Sequence, residues 1–179
     1  FQVALNSEIY VDKTGLIEYT NKVMNTLQGY ICNSRPRRFG KSVTANMLTA
    51  YYSRGCDSAD MFNNLDISKY ADYKEHLNKY DVIHLDIQWC IEPAGGVENV
   101  VSYISESTIA ELREYYPDII SRDAVSLPET LSQINTMTGS KFIVIVDEWD
   151  VLIRDENTNS RIQNEYISFL RAMFKGTEP

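Results

Sequence analysis

Apolar residues recur along the chain at two kinds of interval. Spacings of three and four residues predict amphipathic helices, which cover residues 14–27, 41–53, 97–116, 126–138 and 161–174. Continuous apolar runs predict buried strands, which cover residues 30–32, 81–89 and 141–147. The last run is β-branched and lacks polar alternation, which is typical of a central parallel strand.

Turn residues and capping residues place the boundaries between these elements. Thr14 and Ser126 are expected to cap the helices that follow them. Residues 54–79 carry turn signals and predict loops with short helices. Strands that alternate with helices predict an α/β fold in which helices cover both faces of a mainly parallel sheet.

Composition narrows the classes of protein that the chain can represent. It has 179 residues, 44% of them hydrophobic, and a net charge of −8, so it has an ordinary globular composition and is a poor candidate for a protein that coats nucleic acid. We expect a single domain over 1–179 that is the N-terminal fragment of a longer protein, because the chain begins at Phe1 and ends just after a helical pattern. We also expect a cytoplasmic protein with no membrane span and three reduced cysteines.

The loop between the first predicted strand and the following helix is basic and contains glycine. Its sequence, Arg35-Pro-Arg-Arg-Phe-Gly-Lys-Ser42, matches the phosphate-loop pattern at its last three residues, whereas Arg35 replaces the first glycine. Lys41 is expected to reach the phosphates and Ser42 to bind Mg²⁺, at a helix N-terminus that favours anions. The predicted phosphate-binding residues are Arg37, Arg38, Phe39, Gly40, Lys41, Ser42 and Val43. The alternative is a basic turn that only caps a helix.

Two adjacent carboxylates follow the strand predicted over 141–147. Asp147 is predicted to bind Mg²⁺ at the carboxyl edge of the sheet. The predicted catalytic residues are Glu148, as the general base, and Lys41, which binds the phosphates. The alternative is a pair of helix-capping carboxylates. Trp149 is expected to serve in packing or in base stacking, and Asp150 to form an ion pair with Arg154 at helical spacing.

Three motifs carry a resemblance to a known family. Tyr10-Val-Asp-Lys-Thr14, Ser34-Arg-Pro-Arg-Arg-Phe-Gly-Lys-Ser42 and Ile145-Val-Asp-Glu-Trp-Asp150 resemble the bacterial AAA-ATPase-like family, predicted ATPases that often carry a C-terminal nuclease-like domain of the PD-(D/E)XK type. The resemblance implies a P-loop NTPase fold of the additional-strand class, with three α/β/α layers and with ATP and Mg²⁺ as ligands. It also implies that residues 10–13 lie near the adenine, with a surface pair of Asp12 and Lys13 as the alternative.

Three functions remain open from the sequence. The first is Mg²⁺-dependent ATP hydrolysis that drives or regulates a missing C-terminal domain, with homo-oligomerisation as a further expectation. The second is a nucleotide-binding regulatory module with little turnover, because the first glycine is replaced and no sensor residue follows. The third is contact with nucleic acid, either through the arginines of 35–38 or through a nuclease-like partner domain.

Overall fold

A computed structural model of the chain describes residues 1–34, 39–156 and 158–175. The chain divides into two compact units, Phe1–His84 and Leu85–Pro179, which are described in turn. Arg35, Arg37 and Arg38, three of the arginines that the sequence places in the phosphate loop, lie outside the described residues.

The first unit contains several short helices and one longer helix. The α-helices are α1 (Gln2–Leu5), α2 (Gly15–Val23), α3 (Lys41–Tyr52), α4 (Ala59–Phe62) and α5 (Tyr73–His76), and a 3-10 helix spans Asp66–Lys69. The prediction for 54–79 is confirmed. The predicted end of α2 is wrong, because the helix stops at Val23 and Leu27 is 94% exposed.

Helices α2 and α3 are joined by a buried polar and aromatic network. Tyr52 donates a hydrogen bond to Asn21 Oδ1 at 2.7 Å, and Tyr51 donates to the Tyr73 carbonyl at 2.8 Å. The Tyr51 ring meets that of Phe62 edge to face, with centroids 5.4 Å apart. Burial raises the pKa of Tyr51 to about 12, so its hydroxyl stays a donor at neutral pH.

The residues just before α2 form a cluster of hydrogen bonds. Thr14 donates to Asp12 Oδ1 at 2.7 Å and accepts from the Ile67 N–H at 3.1 Å. Thr14 therefore stands at the predicted N-cap position, but its hydroxyl does not cap the helix. Asp12 Oδ2 accepts from the Asp66 N–H at 2.7 Å, so the 3-10 helix and the start of α2 share their partners.

The second unit is mainly helical. Its α-helices are α6 (Ile87–Cys90), α7 (Val100–Tyr115), α8 (Leu127–Thr138), α9 (Val151–Arg154) and α10 (Ser160–Lys175), with a 3-10 helix over Val97–Asn99. Local signals set the bounds of α8: Ser126 Oγ accepts from the Glu129 N–H at 3.5 Å, and Gly139 ends the helix at φ 72°. Ser126 therefore caps α8, as predicted.

The sheet of the described residues has two parallel strands, β1 (Asp81–Asp86) and β2 (Phe142–Asp147). This arrangement agrees with the predicted α/β class. Within the same residues β2 has one partner strand and is only half-buried over most of its length, so the prediction of a central strand is wrong. Residues 87–89 are helical rather than extended, because the Asp86 carboxylate accepts from the Trp89 N–H at 3.2 Å and caps α6.

The strand predicted at 30–32 does not form. Tyr30 and Ile31 are exposed, and the described sheet offers no partner to this segment. A run of three residues gains little from extended geometry unless a neighbouring strand completes its hydrogen bonds. In the described residues, no helix combines the length and the apolar character that crossing a membrane requires, and the three cysteines are free thiols, as predicted.

We predict that Thr14→Ala lowers the free energy of unfolding by about 1–3 kcal/mol. The substitution removes the acceptor of the buried Ile67 N–H and the hydroxyl donor to Asp12. The matched control is Thr136→Ala, because the Thr136 hydroxyl bonds only to a helical carbonyl at an exposed position. Urea denaturation of both variants checks the prediction, and equal effects would contradict it.

Candidate functional site

The described part of the phosphate loop ends in a left-handed glycine. Gly40 has φ 75° and ψ 38° and stands at the N-cap position of α3. Its carbonyl accepts from both the N–H and the hydroxyl of Thr44, each at 3.0 Å. Glycine adopts this backbone at no steric cost, which explains why the phosphate-loop pattern has glycine at this position.

The start of α3 presents the two predicted phosphate and metal side chains. Lys41 and Ser42 are the first two residues of the helix, Lys41 half-buried and Ser42 exposed. The first N–H groups of a helix have no intrahelical acceptor and give its N-terminus a partial positive charge. An anion at this end would therefore meet backbone N–H donors and a favourable partial charge.

Lys13 supports this loop from the other side. Its Nζ donates to the Phe39 carbonyl at 2.7 Å and lies 2.9 Å from the point where a Cβ on Gly40 would stand. The alternative of a surface pair between Lys13 and Asp12 is wrong. The Asp12 carboxylate instead accepts hydrogen bonds from residues 14 and 66, which leaves Lys13 directed at the loop.

Those hydrogen bonds also set the charge state of Asp12. Partial burial alone would raise the pKa of the carboxyl, but hydrogen bonds from Asp66 and Thr14, with a contribution from the Lys69 charge, bring its pKa below the usual value. Asp12 is therefore ionised at neutral pH and holds residues 12–14 in place.

A pocket of about 470 Å³ lies beside the loop within the first unit. Its walls come from the segment before α2 and from the first turns of α3. The lining residues are Ala4, Ser7, Ile9, Tyr10, Val11, Lys13, Phe39, Gly40, Val43, Thr44 and Met47. The structure therefore brings three predicted site residues, Phe39, Gly40 and Val43, to one cavity, together with two residues of the first motif, Tyr10 and Lys13.

The predicted acidic residues belong to the second unit. Asp147 is the last residue of β2, and its side chain is buried at 7% exposure. Asp86 ends β1, and because the two strands are parallel, both carboxylates stand at the same edge of the sheet. Asp86 belongs to a segment, His84-Leu-Asp86, that also resembles the family, but the sequence did not predict a site role for it.

Glu148 follows β2 in an unusual conformation. It has φ 50°, and its N–H donates to Asp147 Oδ1 at 3.0 Å. Its carboxylate oxygen Oε2 accepts from Arg154 Nη2 at 2.8 Å. Arg154 Nε also pairs with Asp150 Oδ2 at 2.7 Å, as the helical spacing predicted. The Glu148 contact was not predicted, because it spans six residues and a turn and follows no helical spacing.

The side chain of Trp149 is about half exposed, and its backbone carbonyl accepts from the buried Tyr166 hydroxyl at 2.7 Å. The contact of this turn with α10 is therefore made by the backbone. Both predicted roles of the indole, packing and base stacking, remain predictions.

The residues present fit Mg²⁺ better than a metal held entirely by protein ligands. No group of three or more His, Cys, Asp or Glu side chains in the described residues could hold an ion. Mg²⁺ commonly uses one or two protein oxygens, with water and phosphate for the rest. The Ser42 hydroxyl and the Asp147 carboxylate are each an oxygen donor of that kind, considered within its own unit.

We predict opposite effects of alanine at two glycines. Gly40→Ala should lower the free energy of unfolding by about 1–2 kcal/mol, because the left-handed backbone opposes a side chain and the new Cβ would meet Lys13 Nζ. Gly15→Ala, in the first turn of α2 with open space around its Cβ, should raise it by about 0.4–1 kcal/mol. Thermal and urea unfolding measure both changes in stability. A Gly40→Ala variant as stable as the wild type would contradict the predicted backbone strain.

Comparison with known proteins adds one finding. A family model described as "Predicted AAA-ATPase" matches residues 2–178. No curated protein and no solved structure is significantly similar to the chain. Since the match covers nearly all of the sequence and includes the Gly40 loop and the acidic end of β2, the chain belongs to the family of predicted AAA-ATPases.

Proposed function

We propose that the chain binds ATP and hydrolyses it with Mg²⁺, on a P-loop fold of the AAA type. The observation that carries the proposal is the pocket of about 470 Å³ that adjoins Gly40 and the first turn of α3. A base-sized cavity next to an anion-binding helix end is the arrangement that a nucleoside triphosphate requires.

The cavity suits the base and the sugar. Its volume lies within the range of small-molecule sites, about 300–1,000 Å³. Aromatic side chains from both walls, Tyr10 and Phe39, give it flat apolar surface, and Lys13 adds a cation. This assignment supports the expectation that residues 10–13 lie near the adenine.

The phosphates would then lie at the start of α3. The Lys41 ammonium and the first N–H groups of the helix would bind the β- and γ-phosphates. Ser42 and Asp147 would hold Mg²⁺, which neutralises phosphate charge when it is bound.

Glu148 supplies the base in this proposal. A water oxygen forms the new bond to the γ-phosphorus while the bond from that phosphorus to the β–γ bridging oxygen breaks, and ADP departs. The Glu148 carboxylate accepts the proton that the water loses. The buried Asp147 next to it keeps the separate role of metal ligand.

A second candidate is a regulatory module that binds nucleotide and turns it over slowly. One observation favours it: Arg154 occupies a carboxylate oxygen of the proposed base at 2.8 Å. An oxygen that already accepts a hydrogen bond from a guanidinium is less available to an attacking water.

The proposal also includes partners of the chain, which no contact in the described residues tests. A homo-oligomer and a C-terminal domain of nuclease type that the ATPase drives or regulates both stay predictions. A role with nucleic acid depends on that domain or on the arginines of 35–38.

We predict that Lys41→Ala weakens ATP binding by about 10- to 150-fold, because a hydrogen bond to a charged group is worth about 1.5–3 kcal/mol. Titration of a fluorescent ATP analogue with Mg²⁺ measures the affinity. Lys79→Ala, at an exposed lysine, is the control and should bind as the wild type does. Wild-type binding that Lys41→Ala leaves intact would end the proposal.

We predict that Glu148→Gln keeps ATP binding and loses turnover by about 10²–10⁴-fold, the contribution of a general base. Glutamine preserves the shape of the side chain but accepts no proton. Phosphate release measures turnover, with Glu111→Gln at an exposed position of α7 as the control. Equal turnover in the two variants would remove Glu148 from the mechanism.

A further inference from the structure

The peptide between Phe39 and Gly40 carries one acceptor and one donor at the edge of the proposed phosphate site. Gly40 directly precedes α3, whose first N–H groups have no intrahelical acceptor and favour an anion. The peptide is planar and trans, so the Phe39 carbonyl and the Gly40 N–H point in opposite directions. A contact that fixes the carbonyl therefore fixes the direction of the N–H as well.

Glycine at position 40 does not fix this orientation by itself. Gly40 has φ 75°, and glycine populates positive and negative φ about equally well. Rotation of the peptide plane before a glycine therefore meets little steric resistance. The rotated peptide would present the Phe39 carbonyl oxygen where the N–H now points, and that oxygen would repel a phosphate. The observed orientation thus depends on a partner outside the peptide.

Lys13 is that partner. Its Nζ donates to the Phe39 carbonyl at 2.7 Å, which is the one hydrogen bond of this side chain within the part of the chain that the structure describes. The same ammonium lies 2.9 Å from the point where a Cβ on Gly40 would stand. The absence of a side chain at position 40 therefore lets the lysine approach the loop this closely.

The backbone on both sides of Lys13 is held in place. The Asp12 carboxylate accepts from the N–H of Thr14 at 2.8 Å and from the N–H of Asp66 at 2.7 Å. Thr14 is fully buried, and its hydroxyl accepts from the Ile67 N–H at 3.1 Å. Because the stem of the lysine starts from a fixed backbone, its hydrogen bond to the loop costs less conformational entropy than one from a loose segment.

We propose that Lys13 is a positioning residue of the phosphate site: its hydrogen bond to the Phe39 carbonyl holds the peptide in the orientation in which the Gly40 N–H faces the phosphates. The proposal rests on the function proposed above and adds a residue to that same site. Lys13 acts here through the backbone of the loop, not by contact with the nucleotide. All residues that carry the argument belong to the first unit.

The variant that tests the positioning role is Lys13→Met, which removes the ammonium and keeps an unbranched side chain in the wall of the pocket. Its matched control is Lys74→Met, because Lys74 is an exposed lysine of α5 in the same unit. Thermal unfolding shows whether Lys13→Met is folded. Lys13→Ala provides the same test if Lys13→Met is not folded.

Affinity for three probes is the first measurement, made by calorimetry with ATP, inorganic tripolyphosphate and adenosine in the presence of Mg²⁺. Lys13→Met should weaken ATP and tripolyphosphate binding by about tenfold each, the lower end of what a hydrogen bond to a charged group is worth. Adenosine should bind Lys13→Met and Lys74→Met equally, because the contact acts on the phosphate site. Equal ATP affinity in the two variants would overturn the proposal, and so would an adenosine affinity that falls as far as that for ATP.

The second measurement observes the peptide itself. Phe39-Gly40 is the only Phe-Gly pair in the sequence, so ¹³C-carbonyl phenylalanine and ¹⁵N-glycine together give a single peak in an NMR spectrum that correlates each amide with the preceding carbonyl. The nucleotide-free wild type and Lys74→Met should show one sharp peak. Lys13→Met should show a broadened or doubled peak, because its peptide takes two orientations, and saturating tripolyphosphate should restore one peak.

The peak also separates the positioning role from direct contact with phosphate. A lysine that only contacted the phosphates would lower the affinity and leave the nucleotide-free peak sharp. A peak of Lys13→Met as sharp as that of Lys74→Met would therefore overturn the proposal.

The same samples distinguish failure of this proposal from failure of the proposed function. ATP binding that depends on Lys41, together with a sharp peak in Lys13→Met, overturns the positioning role and leaves the proposed function standing. Absence of Lys41-dependent binding overturns the proposed function, and with it the role of Lys13 at a phosphate site.

Discussion

The Asp12 carboxylate accepts three hydrogen bonds, and the geometry of the first unit follows from them. Two come from Thr14 and one from the N–H of Asp66, so the residues before α2 are fixed to the 3-10 helix. Lys13, between these two partners, is thereby aimed at the Phe39 carbonyl. Loops are usually mobile, and this one gains a support 26 residues away in sequence. The cavity beside Gly40 has a wall because that support holds residues 10–13 in place.

In the second unit, three neighbouring carboxylates have different surroundings. Asp147, Glu148 and Asp150 place three carboxylates within four residues at the end of β2. Burial and a backbone hydrogen bond set Asp147 apart, while Arg154 pairs with the other two. The environment thus separates a buried carboxylate from two that share an arginine, although the sequence presents them as neighbours. The net charge of −8 is a sum over the chain and does not reveal these ion pairs of Arg154.

Elements with local signals could be predicted from the sequence, and elements with distant partners could not. Helix α8 was predictable because Ser126 and Gly139 mark its two ends and the hydrogen bond of the Ser126 cap lies within three residues. Residues 30–32 look the same as a strand in sequence, but a strand depends on a neighbour that composition does not reveal. The pair of Asp150 and Arg154 follows from helical spacing, whereas the bond of Arg154 to Glu148 depends on the left-handed turn between them.

The shared position of Arg154 bears on how easily the proposed base changes state. An arginine with one partner would leave a charge uncompensated when that contact opens, and the penalty would hold the contact closed. Arg154 has Asp150 in reach in either arrangement, so the two states differ mainly by one partly exposed ion pair and by the strain at Glu148. A ligand can shift such an equilibrium only by its differential affinity for the two states. The small gap means that modest differential binding would be sufficient to open the contact of Arg154 with Glu148 without a rearrangement of α9.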